Sequence, residues 1–286
     1  MSVFKLNFGF PAPHTVLTGS SYTLTWKKPL LMGVVNVTPD SFSDGGRSQL
    51  ESLEHALELE DDGADVLDVG GESTRPGADP VDLETELERV IPLIEALSSR
   101  SSTLISIDTR KPQVAEAALR AGAHLVNDIA GLTDPAMLEV CARFGAPAVV
   151  MHMRGQPQSM QRSPQYRDVV LEVLEFLTAQ ASLALEAGVP GVLLDPGIGF
   201  GKKLEHNLAL LRGLERLTAL GYPVLVGASR KSFIGRLSGS ELDAADRDPG
   251  SVAVHLGCVQ KGAAMLRVHN VRMHKQALEV WEAVWG

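Results

Sequence analysis

Cysteine is nearly absent: Cys141 and Cys258 are the only two in 286 residues. Both fall inside helical patterns, and two scattered thiols cannot build a disulfide framework. No CxxC or Cys/His cluster suggests zinc, so a reducing compartment is expected. A basic excess is missing too. Lys and Arg number 26 against 35 Asp and Glu, for a formal net charge of −9 and a pI of about 5.4. A nucleic-acid or anionic-membrane binder usually carries a basic excess or stripe, so neither partner is expected, although a local anion pocket stays open. No long apolar stretch follows Met1, which speaks against a signal peptide or a membrane span and makes a cytoplasmic enzyme the expectation. No G-x-G-x-x-G follows the first apolar run, against an open dinucleotide-binding sheet. Neither a low-complexity segment nor a second domain is visible.

Apolar residues make up 44% of the chain, ample for a core. Eight short apolar runs recur, each ending in polar residues: Pro29–Asn36, Ala64–Gly70, Thr103–Asp108, Ala123–Asp128, Ala146–His152, Gly191–Asp195, Tyr222–Ser229 and Ala263–His269. Their spacing suits parallel strands joined by crossover helices, roughly 30 residues per unit. Between them lie helical stripes, Leu50/Leu53/Leu57/Leu59 and Leu87/Val90/Ile91/Ile94/Leu97. Asp79-Pro80 and Asp134-Pro135 read as an N-cap followed by proline at N1. Gly63, Gly122, Gly145, Gly188, Gly221 and Gly262 each precede a strand, in phase, as C′ glycines do. Eight such units with no long linker predict a single α/β domain over 1–286, a closed (β/α)8 TIM barrel. Residues 1–28 precede it, and Thr15–Trp26 around Thr18-Gly-Ser-Ser is expected to be a β-hairpin closing the barrel floor.

In a barrel all eight strand C-termini face one mouth, so reading the strand ends reads the site. The first run, Leu31-Met-Gly-Val-Val-Asn36, passes abruptly into Val-Thr-Pro-Asp-Ser-Phe42-Ser-Asp-Gly-Gly46. Loops in that position carry function more often than the strands that hold them. Strand two delivers Asp68 and the loop Glu72-Ser-Thr74-Arg75-Pro76-Gly77, strand three Asp108-Thr-Arg-Lys111, and strand four Asn127-Asp128. His152 ends strand five. Strand six leads into Asp195-Pro-Gly-Ile-Gly-Phe200-Gly-Lys202, strand seven into Ser229-Arg-Lys231-Ser232, and strand eight into Arg267-Val-His269-Asn270. So many costly polar groups at one place point to a site rather than a scaffold. Bland readings stand beside the functional ones. Asp108 could cap a helix, Asp128 could be a turn residue, and His152 reads better as a satisfied structural histidine. Asp195-Pro-Gly could be turn chemistry or a buried acceptor, and Lys231 could be solvated. Arg267 inside a strand needs an anion or an internal partner. With His269 at i+2 on the same face and a helix starting at Asn270, it favours a phosphate pocket.

The runs Asn36–Gly46, Gly70–Gly77, Ile107–Thr109, Asn127–Ile129, Met151–Met153, Leu194–Lys202, Gly227–Ser232 and Arg267–His269 resemble the dihydropteroate synthases, in order and spacing, from about residue 30 to about 270. The resemblance implies a pterin-binding barrel that condenses 6-hydroxymethyl-7,8-dihydropterin pyrophosphate with para-aminobenzoate, releasing pyrophosphate with help from Mg2+. The family is a sulfonamide target and commonly homodimeric. Carried across, Asp108, Asn127 and Asp195 would line the pterin pocket and Lys231 would approach the ring carbonyl. Arg267 and His269 would hold the pyrophosphate, Asn36 the magnesium, and Thr74 would contact the substrate near its reacting end. Phe42, Arg75, Pro76, Phe200 and Ser232 would form the para-aminobenzoate slot and its loops. Asp108, Asp195 and Lys231 would be the catalytic groups. The family usually places aspartate where this chain has Asn270; since either residue caps a helix, little loss is expected. The alternatives are a pterin-binding methyltransferase domain, which needs neither Arg267 nor His269, a non-catalytic homologue, and a Schiff-base barrel aldolase using Lys231.

Overall fold

The computed structural model describes residues 3–37, 45–73, 78–239 and 242–286, with 45–48 by backbone only. Ahead of the barrel lies a three-stranded antiparallel sheet: β1 (Phe4–Phe8), β2 (Val16–Thr18) and β3 (Ser21–Trp26), in the order β1-β3-β2. The expected hairpin is β2–β3. β1 is an addition, paired with β3 from Phe4↔Trp26 to Phe8↔Tyr22. The sheet plugs the barrel floor. Its Leu6, Phe8, Leu24 and Trp26 pack on Met32, Val66, Leu104, Leu125, Val149, Leu193, Leu225 and Met265, one residue from each barrel strand. The Trp26 indole finds a partner within this apolar layer, donating from Nε1 to the Ala264 carbonyl at 3.0 Å.

The barrel strands are β4 (Leu30–Asn36), β5 (Val66–Gly70), β6 (Leu104–Asp108), β7 (Leu125–Asp128), β8 (Ala148–Met151), β9 (Val192–Asp195), β10 (Leu225–Val226) and β11 (Met265–Val268). All are parallel, in the order β10-β11-β4-β5-β6-β7-β8-β9. A parallel bridge Leu194↔Val224 joins the two ends of that order, so the sheet closes on itself. Closure removes the sheet edges. The outer wall is α1 (Gly45–Asp61), α2 (Leu83–Arg100), α3 (Pro112–Ala121), α4 (Pro135–Phe144), α5 (Val169–Glu186), α6 (Leu204–Arg212), α7 (Leu214–Thr218), α8 (Ser232–Leu237), α9 (Asp248–Gln260) and α10 (Val271–Trp285).

The six C′ glycines all have positive φ, between 64° and 112°. At Gly122 the constraint is double, since a Cβ there would sit 2.6 Å from the Ser98 Cβ. Asp134 caps α4 as expected, accepting from the Ala136 N–H at 2.9 Å with Pro135 at N1. Three expectations need correction. Asp79-Pro80 lies in coil; the cap of α2 is Asp82, whose carboxylate accepts from the Thr85 N–H at 2.8 Å. Leu50 is 59% exposed, so the buried face of α1 runs through Leu53, Ala56 and Leu59. The apolar run Tyr222–Ser229 yields only the two-residue β10, because beyond it the backbone bonds sideways to α9. The Ala228 N–H donates to His255 Nε2 at 3.1 Å and the Arg230 N–H to Ser251 Oγ at 2.9 Å.

Candidate active site

In five of the eight barrel strands the inward face changes character halfway up. In β6 the sequence Leu104, Ser106, Asp108 rises from the floor cluster to a carboxylate. β5 passes from Val66 to Asp68, β7 from Leu125 to Asn127, β9 from Leu193 to Asp195, and β11 from Met265 to Arg267. Residues of the opposite parity, such as Leu67, Ile107, Val126, Leu194 and Leu266, pack into the main apolar cluster under the helices. The period of two thus sorts each strand into a wall-facing and a lumen-facing set.

Arg267 is the hub of the lumen. Its Nε donates to Asp68 Oδ2 at 2.6 Å and its Nη2 to Asp108 Oδ2 at 2.6 Å. Of the two readings its strand position left open, the structure shows the internal pair. Burial works against the Arg267 charge, but Asp68 and Asp108 more than offset it and raise the pKa. Asn127 Nδ2 donates to the same Asp68 oxygen at 3.0 Å. Burial pushes Asp108 up to about 7. The Asp68, Glu86 and Asp128 charges add to the shift and Arg267 opposes it. Asp195 proves to be both turn and buried acceptor, with Oδ1 taking the Gly197 N–H at 2.7 Å. Burial lifts it to about 6 against the pull of that N–H and of Lys231, Lys202 and Arg267.

Around this centre the other residues fall into place. Lys231 sits at the N-cap position of α8, and its Nζ lies 4.0 Å from the centre of the Phe200 ring. Ser232 is the first residue of α8. The His269 N–H and Nδ1 both meet Ser229 Oγ, at 3.2 and 3.0 Å. Asn36 ends β4, half-buried, beside Gly70 of β5. Thr74, Arg75, Pro76 and Phe42 lie outside the described residues. Asp128 takes the turn reading, accepting from the Ala130 and Leu132 N–H groups at 2.8 and 2.9 Å. His152 takes the structural one: buried, with burial pushing it down to about 3 and Lys202 adding to the shift.

Several residues were missed. Lys202 is 2% exposed, and its Nζ contacts His152 Nδ1 and the carbonyls of His152, Gly197 and Phe200, all within 2.9–3.0 Å. It staples the β9–α6 loop, which carries Phe200, onto the end of β8. At Gly197 any Cβ would collide with the His152 carbonyl. Glu86, 1% exposed on α2, accepts from Thr109 Oγ1 at 2.7 Å and pairs with Lys111, which also binds Glu72 at 2.5 Å. On α9, Asp248, Ser251 and His255 form a buried polar face. It holds Arg230, whose φ is +58°, through a two-point pair of Arg230 Nε and Nη2 with Asp248 at 2.7 and 2.8 Å. The only sequence signal for that face was three polar residues at helical spacing.

A lumen lined by buried acceptors around an arginine, with a histidine two residues further along, suits a donor-rich, anion-bearing small molecule. Comparison with known proteins narrows the class. The profile of the pterin binding enzyme family matches residues 32–269. A dihydropteroate synthase of Escherichia coli K12 is 44% identical over 265 residues, covering 91% of this chain and 93% of the relative. The crystal structure of dihydropteroate synthase from Thermus thermophilus in complex with 4-aminobenzoate superposes with a TM-score of 0.87 at 51% identity, covering 98% of this chain and 100% of that one. A second structure of that protein is a complex with 6HMPPP. The Yersinia pestis enzyme with a sulfonamide drug matches at TM-score 0.86 and 42% identity, covering 94% of this chain and 98% of that one. The chain belongs to the dihydropteroate synthase family.

Proposed function

We infer that this barrel joins 6-hydroxymethyl-7,8-dihydropterin pyrophosphate to para-aminobenzoate, forming 7,8-dihydropteroate and releasing pyrophosphate, as a transferase of folate biosynthesis. One observation carries the reading: the lumen gathers Asp108, Asn127 and Asp195 as buried hydrogen-bonding groups around Arg267, with His269 two residues further along the chain. A pterin edge is rich in N–H donors, which suits carboxylates and an amide. Arg267 and His269 at the rim would meet the pyrophosphate. Lys231 would donate to the ring carbonyl, and Phe200 and Ser232, with Phe42, Arg75 and Pro76 from the loops, would shape the para-aminobenzoate slot. Thr74 would contact the pterin substrate near the bond that breaks. Sulfonamides would compete for that slot.

In the reaction the bond between the exocyclic methylene carbon and the pyrophosphate oxygen breaks. The para-aminobenzoate nitrogen forms a bond to that carbon and then loses a proton. Positive charge developing on the pterin falls next to the carboxylates of Asp108 and Asp195, which are fixed before the reaction starts. Arg267 and His269 stabilise the departing pyrophosphate. No nucleophilic serine or cysteine is required. Among the described residues no group of three or more His, Cys, Asp or Glu could hold a metal ion. A single oxygen donor such as the Asn36 amide fits magnesium, which binds largely through substrate phosphates and water. When bound there, magnesium would neutralise charge on the pyrophosphate.

The same reading extends to assembly and location. A homodimer would cover the apolar groove of α9 and α10, lined by Leu256, Met273, Ala277, Val280, Trp281 and Trp285, where Val280 and Trp285 are 59% and 74% exposed. A cytoplasmic location accords with two buried free thiols. Among the described residues no helix is long and apolar enough to cross a membrane. The deciding experiment incubates the purified chain with both substrates and magnesium and follows pyrophosphate and dihydropteroate together. Both products, dependent on para-aminobenzoate, are expected. Pterin binding without either product would instead support a methyltransferase-like or non-catalytic homologue.

A further inference from the structure

Asp68 is fully buried in β5, and its register partner is Ser106 of β6. Two residues further along the same strands Gly70 pairs with Asp108, which in turn pairs with Asn127 of β7. Asp68 therefore lies one layer beneath the acceptors of the pocket. From there a single oxygen, Oδ2, receives both Arg267 Nε and Asn127 Nδ2, at 2.6 and 3.0 Å. Its other oxygen, Oδ1, is buried with no hydrogen-bond partner among the described residues, and so is the hydroxyl of its register partner Ser106. A buried acceptor left unpaired costs about 1–3 kcal/mol, so stability alone does not account for a carboxylate here.

The chemistry of the contacts supplies another account. Asp68 Oδ2 accepts from Arg267, and the Asn127 amide turns its NH2 toward the same oxygen. Its Oδ1 then points the other way, toward the mouth. Left to itself an amide can present either end, and here the choice is made from below. Likewise, holding Arg267 by Nε leaves the Nη end of the fork for Asp108 and the rim. We propose that Asp68 is a positioning residue that sets the hydrogen-bond polarity of the pocket, making Asn127 an acceptor toward the ligand and aiming Arg267 at the rim. Together with Asp108 and Asp195 the floor of the pocket then offers acceptors alone, and it selects rings whose buried edge carries N–H donors. This inference rests on the pterin reading given above.

The test compares binding of 6-hydroxymethylpterin with that of 6-hydroxymethyllumazine, in which an oxo group replaces the 2-amino donor. The wild-type chain should prefer the pterin strongly, because a site built to bond a donor rejects the analogue that lacks it. In Asp68→Asn the amide partner frees Asn127 to flip, and the preference should shrink by about tenfold or more. The double exchange Asp68→Asn/Asn127→Asp puts a carboxylate at 127, locked as an acceptor, and should restore the preference even if the single variant is too unstable to purify. Two results would overturn the proposal: an Asp68→Asn chain that loses affinity or melting temperature but keeps the wild-type ratio, or a double exchange with no preference. A wild-type chain that binds neither ring would instead overturn the pterin reading itself, and this inference with it.

Discussion

The floor and the mouth of the barrel are built on the same strands, by the same inward-facing parity, with opposite chemistry. Met32, Val66, Leu104, Leu125, Leu193 and Met265 close the lower half against the N-terminal sheet. Further along the same strands, Asp68, Ser106, Asn127, Asp195 and Arg267 occupy the lumen. Apart from Arg267, which is half-buried, both layers are buried, so burial does not separate scaffold from site. What separates them is the sign of the burial energy. Each apolar floor side chain gains about 1.5–3 kcal/mol on leaving water, whereas buried charges lose hydration that only their mutual pairing recovers. The lower half stabilises the barrel, and the upper half is held in place by it.

The comparison breaks most sharply at Arg267. Arg267→Met would leave Asp68 and Asp108 as neighbouring buried carboxylates with their cation gone. A loss of about 3–5 kcal/mol in urea unfolding is expected, with turnover down about a thousandfold. Retention of wild-type stability would mean that the pair is not the hub described above. Leu104→Ala in the floor should lose about 2–5 kcal/mol through a cavity alone. Its kcat and KM, measured well below the melting temperature, should stay within about twofold of wild type. An equal loss of activity in the two variants would erase the distinction between layers.

Much of this arrangement was legible in the sequence because both layers obey simple rules. Apolar runs that stop at Asn36, Asp108, Asn127 and Asp195 announce strands and mouth together, and the glycines mark the left-handed helix ends. Where a residue's role depends on what lies across the lumen, the sequence is silent. Asp68 sits in mid-strand between Leu67 and Val69 and shows nothing of its bond to Arg267, 199 residues away. The same holds for Lys202, whose partners are backbone carbonyls. The buried polar face of α9 inverts the usual rule that polar helix residues face water, so periodicity assigns it to solvent. β1 was missed although Phe4, Leu6 and Phe8 alternate with Lys5 and Asn7; the signal of a half-buried strand was present there.

Asp108 sharpens the comparison through pH. Its folded pKa, near 7, exceeds the value of about 3.9 expected unfolded. Between those limits the folded chain holds the extra proton, so this group's contribution to stability is present below about pH 4 and lost as pH rises through 7. Asp108→Asn should therefore gain stability relative to wild type more at pH 8 than at pH 5. Referencing to wild type cancels the buried histidines His124, His152 and His255, which are pushed down to about 4, 3 and 3 and act in the opposite sense. Turnover should move the other way. The carboxylate form faces the developing cation, so the wild-type rate should fall below about pH 7. The variant should be about 100-fold slower or more, its remaining acid limb shifted toward the range of Asp195, about 6. The two carboxylates share one lumen, so the wild-type limb reports the pair. Parallel changes in rate and stability with pH would contradict this assignment.

The smallest effect is expected at the residue that departs from the family pattern. As a helix cap Asn270 is replaceable, because its Oδ1 accepts the Met273 N–H at 3.0 Å and an aspartate would do the same. Its other end is not. Asn270 Nδ2 donates to Asp248 Oδ2 at 3.1 Å, which helps keep the Asp248 carboxyl below its ordinary range. Asn270→Asp would place a second carboxylate against Asp248, where Arg230, with His269, moderates the repulsion. A loss of about 1 kcal/mol is expected near neutral pH, shrinking as the solution is acidified and one carboxyl takes a proton. Asp248 lies in α9, away from the lumen acceptors, so kcat should hold. The double variant Asp248→Asn/Asn270→Asp, which reverses the donor and acceptor of that bond, should recover most of the loss unless Arg230 depends on the charge at 248. A double variant less stable than Asn270→Asp alone would show that Arg230, rather than the residue at 270, depends on the charge at 248.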